Sequence, residues 1–382
     1  MNKYFDQKFL DEVTSWRHEL HRYPEIAFEE FKTADFISNK LESFGLEVHR
    51  GLAKTGVVAT LNPDSTYEAI GLRADMDALP MCEETCHDYV SQNENKMHAC
   101  GHDGHMVMLL GAAKILSEDK LFKGKVYFIF QPAEENVAGG KVMIDDGLFK
   151  LFPCKEIYGM HNWPGLKVGE IALKPGPIMA SNDVFEIILK GASGHAAMPH
   201  LSDHTISATC TLVNSLNLLV SRVQDAQKPT VLSVTKIEAG SAHNVLPAQS
   251  VIWGTVRAFD KESQNLIEDS MKKLIESTCV EYGLESEFKY ERKYLATINH
   301  LEQTNFAKEV VKTVTQKDAV HLESSMASED FAFMLDEKPG CFVWLGNGED
   351  SESLHNTKYD FNDKSISYGI NYWIELSKSF FK

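Results

Sequence analysis

The sequence predicts an α/β protein whose sheet, with parallel members, is interrupted by a ferredoxin-like domain. Three observations carry this expectation. Apolar runs of strand length alternate with helical apolar spacing as far as Met160, the rhythm of strands linked by crossover helices. Between residues 183 and 291 the order becomes β-α-β-β-α-β, that of a split βαβ unit. From about residue 295 the first rhythm returns.

Taken in order, residues 7–22 and 28–44 have helical spacing, broken by Pro24 and stopped by Gly45. Gly56–Leu61 and Ala69–Leu72 read as strands, and a helix begins near Asp103 and runs past Ile115. Val126–Phe130 is wholly apolar, as a strand buried on both faces requires. A helical stretch at 140–146 and a strand at 156–160 complete this part. In the middle, 183–190, 230–238, 249–258 and 285–291 read as strands, with helices at 203–223 and 261–282. A strand at 341–345 and a last helix after Asp363 close the chain.

A chain of 382 residues suggests two domains. Its net charge of −17 argues against nucleic acid or an anionic membrane as partner, since holding phosphates needs clustered Lys and Arg. The N-terminal stretch lacks the basic-then-apolar pattern of a signal peptide, and no apolar run is long enough for a bilayer. Seven scattered cysteines are an odd count and suit reduced thiols, so a cytoplasmic location is expected. Cys82 and Cys86 have metal-like spacing but no partner pair, and are read as structural or exposed.

The densest chemistry lies at Met97–His105, where Cys100 sits among His98, His102 and His105. Glu134-Glu135, His161 and His355 follow at long intervals. Thiolate, imidazole and carboxylate are the donors of Zn²⁺ and similar divalent ions. Asp75 and Asp77, Glu134 and Glu135, and His161 each follow a predicted strand, and in open α/β sheets such positions converge on one crevice. If His355 shares a site with Cys100 and His161, residues 182–291 form an insert and the catalytic domain is discontinuous. An adjacent carboxylate pair can divide labour, one holding metal and the other acting as general base on an activated water. The plainer reading of Glu134-Glu135 is an exposed helix start, disfavoured by its place after a buried strand and by Pro132. Cys100 as a nucleophile is the rival chemistry. His102 two residues away, with further His and Glu at hand, favours a ligand instead.

These residues belong to a longer series. Leu20-His-Arg-Tyr-Pro-Glu25, Leu72-Arg-Ala-Asp-Met-Asp-Ala-Leu-Pro80, Met97–His105, Gln131–Glu135, His161-Asn-Trp-Pro164, Gly194-His-Ala-Ala-Met-Pro-His200, Asn244-Val-Leu-Pro247, Gly254-Thr-Val-Arg257, Ala327-Ser-Glu-Asp-Phe331 and Leu354-His-Asn356 occur in order. Together they resemble the hippurate hydrolase and indole-acetyl-amino-acid hydrolase group, amidohydrolases of the dinuclear metallo-aminoacylase and carboxypeptidase superfamily. The resemblance implies a mixed-sheet, metallo-exopeptidase-like catalytic domain at 1–181 and 292–382. It implies an inserted α+β lid and dimerisation domain at 182–291, and so a homodimer or homotetramer.

By the same resemblance Cys100, His102, Glu135, His161 and His355 are ligands of two divalent ions (Zn, Mn, Co or Ni), and Glu134 is the general base. Asp75 and Asp77 match an acidic motif of which one member orients a ligand. His195 matches a histidine that polarises the substrate carbonyl, often across a dimer. Asn244 and Arg257 match positions that hold the substrate carboxylate, although a turn residue and a surface strand residue are plainer readings. Asp103 is expected to support a ligand histidine, and His18, His21, His98, His105 and His200 to be structural or supporting. The sequence departs from the group's pattern at Asn136-Val-Ala, where glycine usually follows at once, and this bears on pocket shape. The implied reaction is hydrolysis of an N-acyl amino acid, hippurate-like, to a carboxylate and a free amino acid. An N-acetyl-diaminopimelate deacetylase is the near alternative, and an inactive metal-binding regulatory protein the alternative of another class.

Overall fold

The computed structural model describes residues 4–135 and 137–382. The chain forms two compact units: Met1–Ile178 with Ile298–Glu323 and Asp330–Lys382, and Met179–Thr297 with Ser324–Glu329.

The first unit is built on a mixed seven-stranded sheet, ordered 47–52, 56–61, 126–131, 69–75, 154–164, 340–348, 171–172. Its four central strands, 126–131, 69–75, 154–164 and 340–348, run parallel, so their carboxyl ends share one edge. Every residue of Gly56–Leu61, Ala69–Asp75 and Val126–Gln131 is buried, so both faces of the sheet's middle are covered. Helix His102–Glu118 is buried along most of its length and packs against helices Gln7–Arg22 and Ile366–Phe380 and strand Ala69–Asp75. The run Met106-Val-Met-Leu-Leu110 is apolar all round because no face of this part of the helix meets water.

The second unit is a four-stranded antiparallel sheet, ordered 230–239, 249–258, 182–190, 285–294, with helices Thr205–Val223 and Lys261–Tyr282. Phe185, Ile187 and Leu189 alternate inward from the central strand and join Leu212, Leu216, Ile267, Met271 and Ile275 of the helices in a core of their own. This unit runs beyond the expected 182–291 at both ends. The last strand continues to Tyr294, and residues 324–329 join it because Ala180 N–H bonds to the carbonyls of Ser325 and Ala327.

Local expectations needed several corrections. The second helix begins at Phe31, not residue 28, since Phe28 sits at φ 61°. His161 lies within strand Cys154–Pro164 and Asp75 within strand Ala69–Asp75, not after them. Strand Glu47–Leu52 and helices Leu148–Leu151, Leu301–Thr315 and Phe331–Glu337 were not anticipated.

Candidate metal centre

Four loops meet at the carboxyl edge of the parallel strands. Strand Ala69–Asp75 leads to Asp77, strand Val126–Gln131 to Glu134 and Glu135, and the segment after Gly340–Gly348 to His355. Helix His102–Glu118 starts at the same edge. Its N-cap, Gly101, has φ +86°, and a Cβ there would stand 2.2 Å from Asn162 Oδ1. Only glycine satisfies both conditions, and the turn it permits sets Cys100 and His102 on one crevice. His355, at φ 61°, is tied beside them by its N–H to the Ala99 carbonyl (2.8 Å).

The side chains then converge. Donor atoms of Cys100, Glu135 and His355 lie within 4.8 Å of one another, as do those of His102, Glu134 and Glu135. Cys100 Sγ is 3.3 Å from His161 Nε2, and Glu135 Oε1 is 3.1 Å from His355 Nε2. His102 Nδ1 donates to the Asp77 carbonyl (2.8 Å) and His161 Nδ1 to the Asn162 carbonyl (2.7 Å). Both rings are thereby held with Nε2 toward the crevice, the arrangement a metal-binding imidazole needs.

The two aspartates separate in role. Asp77 holds His102 through its backbone carbonyl, its Oδ1 standing 3.3 Å from the same Nδ1, and its Oδ2 accepts from Glu135 N–H (2.9 Å). Asp75 accepts from His105 Nδ1 (2.6 Å) and Arg73 (2.7 Å). Asp103 does not support a ligand as expected. It pairs with Arg17 (3.2 Å) and His21 (2.9 Å), fixing the first turn of the helix to the N-terminal one. His105 holds Asp75 and accepts from Asn162 N–H (2.9 Å). Arg73, Gln131, Asn162 and Asp330 also surround the site. Sequence reasoning missed them, and their only signal was membership in motifs.

Electrostatics suit a cation. Burial, then the charges of Glu135 and Glu134, push the Cys100 thiol well above its usual range. Burial opposes protonation of His102, but Asp75 and Asp77 outweigh it and raise the ring to about 10. Burial and the neighbouring His105 hold His161 well below the usual histidine value. His102 Nε2 is buried without a hydrogen-bond partner among the described residues. Carboxylates crowded around a thiol and inward-facing imidazole nitrogens are the charge pattern that divalent ions neutralise, displacing protons from sulfur and nitrogen. The residues present fit such ions.

The other predicted residues lie in the second unit. His195 and Asn244 are brought together: His195 pairs with Val245 across two short strands, and Ala196 N–H bonds to the Asn244 carbonyl (3.1 Å). Both side chains are exposed. Arg257 lies on strand Gln249–Ala258 and donates to Ser328 Oγ (2.9 Å). Asn136 lies outside the described residues.

A parallel-edge crevice carrying Cys, His and Glu donors beside a spare carboxylate is the equipment of a metal-dependent hydrolase of linear amide bonds. The chain belongs to peptidase family M20/M25/M40, whose model matches residues 71–379. It is 39% identical to the hippurate hydrolase of Campylobacter jejuni over 96% of both chains. It is 37% identical to the N-acetylcysteine deacetylase of Bacillus subtilis over 97% of both. Among solved structures it is similar to Bacillus subtilis YXEP, described as a dinuclear metal binding peptidase from the M20 family. That likeness has TM-score 0.88 and 33% identity, covering 98% of this chain and 99% of the other. The sequence resemblance and the mixed α/β architecture are thus both borne out, and the chain is a hydrolase.

Proposed function

We propose that the protein hydrolyses the amide bond of N-acyl amino acids, hippurate-like substrates first, to a carboxylate and a free amino acid. The observation that carries this reading is the pair Glu134 and Glu135: both reach His102, while only Glu135 also groups with Cys100 and His355. Two divalent ions, Zn, Mn, Co or Ni, would be held by Cys100, His102, Glu135, His161 and His355. Bound there, they supply Lewis acidity that lowers the pKa of water and polarises the scissile carbonyl. Glu134 takes a proton from the attacking water and returns it to the amide nitrogen as the C–N bond breaks. Asp77 keeps His102 and Glu135 in place, and Asp75 acts through His105 and Arg73.

His195 is assigned to the carbonyl oxygen, and Asn244 and Arg257 to the substrate carboxylate, which a guanidinium fork suits. A homodimer or homotetramer through the second unit is part of the same reading. Among the described residues no helix is long and apolar enough to cross a membrane. The seven free cysteines support a cytoplasmic setting. The likeness to an N-acetylcysteine deacetylase favours an acetyl substrate as the second reading.

The test is a hydrolysis screen of N-benzoyl, N-acetyl and indole-acetyl amino acids after chelation, with each metal added back. Metal-dependent release of the free amino acid is expected, most rapid for the N-benzoyl series. An acyl-enzyme trapped on Cys100, or hydrolysis indifferent to chelation, would overturn the reading. Preference for N-acetyl substrates would select the deacetylase.

A further inference from the structure

We propose that Asp330 is a positioning residue, which with Arg73 sets the turn carrying Glu134 and leaves metal binding to other groups. This rests on Glu134 being the general base.

Three buried carboxylates hold the segments Gln131–Glu135 and Gly139–Gly140. Glu30 accepts from Ala133 N–H (2.9 Å) and Asp77 from Glu135 N–H (2.9 Å). Asp330 does the most. Its carboxylate, fully buried, accepts from Gln131 Nε2 (2.9 and 2.8 Å), Gly140 N–H (2.7 Å) and Arg73 (2.9 Å). Its own N–H points at Glu134 Oε1 (3.4 Å). One residue therefore grips the start of the turn, the helix after it and the working carboxylate between.

Arg73 extends the brace. Fully buried at the end of its strand, it donates Nε to Gln131 Oε1 (2.7 Å) and splits its fork between Asp330 and Asp75. A planar fork with five donors can serve three acceptors at once, which an ammonium on a flexible stem cannot do with the same geometry. The turn also stores strain, with Ala133 at φ 57° and Ala138 at φ 54°. Such conformations persist only where the surroundings over-determine them. Gly140 shows how closely the parts fit: a Cβ there would meet Gln131 Oε1 at 2.9 Å and Asp330 Oδ2 at 3.1 Å. Among the described residues, the Gln131, Gly140 and Arg73 groups that these carboxylate bonds reach belong to no proposed metal ligand. Disturbing it should misplace Glu134 by a fraction of an ångström, and a displacement of about 1 Å at a reacting group costs on the order of 10²-fold in rate.

The experiment compares Asp330→Asn, Gly140→Ala, Glu134→Gln and the double variant Asp330→Asn/Glu134→Gln. Each is loaded with Zn²⁺ or Mn²⁺, assayed on N-benzoylglycine, and measured for bound metal and melting temperature. Asp330→Asn is expected to lower kcat about 10–10²-fold, with KM within about twofold and metal content unchanged. Gly140→Ala, which removes no polar group and suits a helix, should show the same pattern more weakly and keeps the test open if Asp330→Asn misfolds. The double variant should be no slower than Glu134→Gln, since a base already absent cannot be misplaced. Multiplied losses in the double variant, lost metal, or a raised KM with kcat intact would each overturn the proposal. If Glu134→Gln is inactive while Asp330→Asn and Gly140→Ala keep full kcat, the positioning role falls and the general base stands. Full kcat in Glu134→Gln overturns both.

Discussion

Glu134 and Glu135 are adjacent, yet they should fail in different ways. Glu135→Gln removes a donor that lies beside Cys100 and His355, so bound metal should fall first. Glu134→Gln should keep its metal and lose about 10²–10⁴-fold in kcat, the usual worth of a general base. Metal analysis beside steady-state rates checks both, and metal lost only from the Glu134 variant would reverse the two roles. Gly101→Ala tests the backbone that presents the donors. At φ +86°, with Asn162 Oδ1 in the way, the methyl should cost about 1–3 kcal/mol of stability and reduce metal affinity. Denaturant unfolding and metal titration would show it, and an unchanged affinity would remove Gly101 from the account. At this scale the sequence was informative for the donors, because thiol, imidazole and carboxylate side chains announce their own chemistry. It was silent on Asn162, Arg73 and Asp330, whose parts depend on which atoms they touch. His105 and Asp103 were both assigned supporting roles, but only contact decided that one serves Asp75 and the other Arg17 and His21.

Among elements, the first turn of His102–Glu118 is bound to the N-terminal helix by charges buried beneath the site. Burial opposes protonation of His21, but Asp103 (2.9 Å) and Glu83 (3.2 Å) outweigh it and raise the ring to about 9. The folded protein therefore holds this proton more tightly than the unfolded chain does. The contribution is complete below pH 6.5 and is lost as pH rises toward 9. A shift of that size is worth at most about 3 kcal/mol. Unfolding between pH 6 and pH 9.5 should show stability falling across this window, and His21→Gln should make that slope shallower, leaving the share that His102 contributes. An equal slope in His21→Gln would assign the titration elsewhere. Most elements could be read from periodicity because strands 56–61 and 126–131 are uninterrupted apolar runs. Strand Glu47–Leu52 could not, since its pattern is mostly exposed and only pairing with 56–61 defines it.

Across the molecule, two cores divide the chain, and the second unit supplies a test of its own. His195 stands in that unit, whereas every proposed ligand stands in the first. His195→Ala should thus leave metal content unchanged and lower kcat by about 10²–10³-fold, the loss seen when one oxyanion donor is removed. If His195 serves a partner subunit, mixing His195→Ala with Glu134→Gln chains should restore activity, since one site per mixed dimer would hold both intact groups. No recovery in demonstrated mixed dimers would exclude that arrangement, and unaltered kcat would exclude His195.

What the sequence determined by itself was the kind of chemistry and the class of fold. Donor types are properties of single side chains, and apolar periodicity is written locally along each strand and helix. The tertiary structure alone decided which nitrogen of His102 and His161 faces the crevice, and that His102 Nδ1 bonds to the backbone carbonyl of Asp77. It alone showed that Asp330 reaches back to Gln131 and Gly140 across nearly two hundred residues of chain. The physical reason is that a hydrogen bond is fixed by distances and angles of a few ångströms. Those are set by packing of the parallel strands and their loops, which no local stretch of sequence encodes.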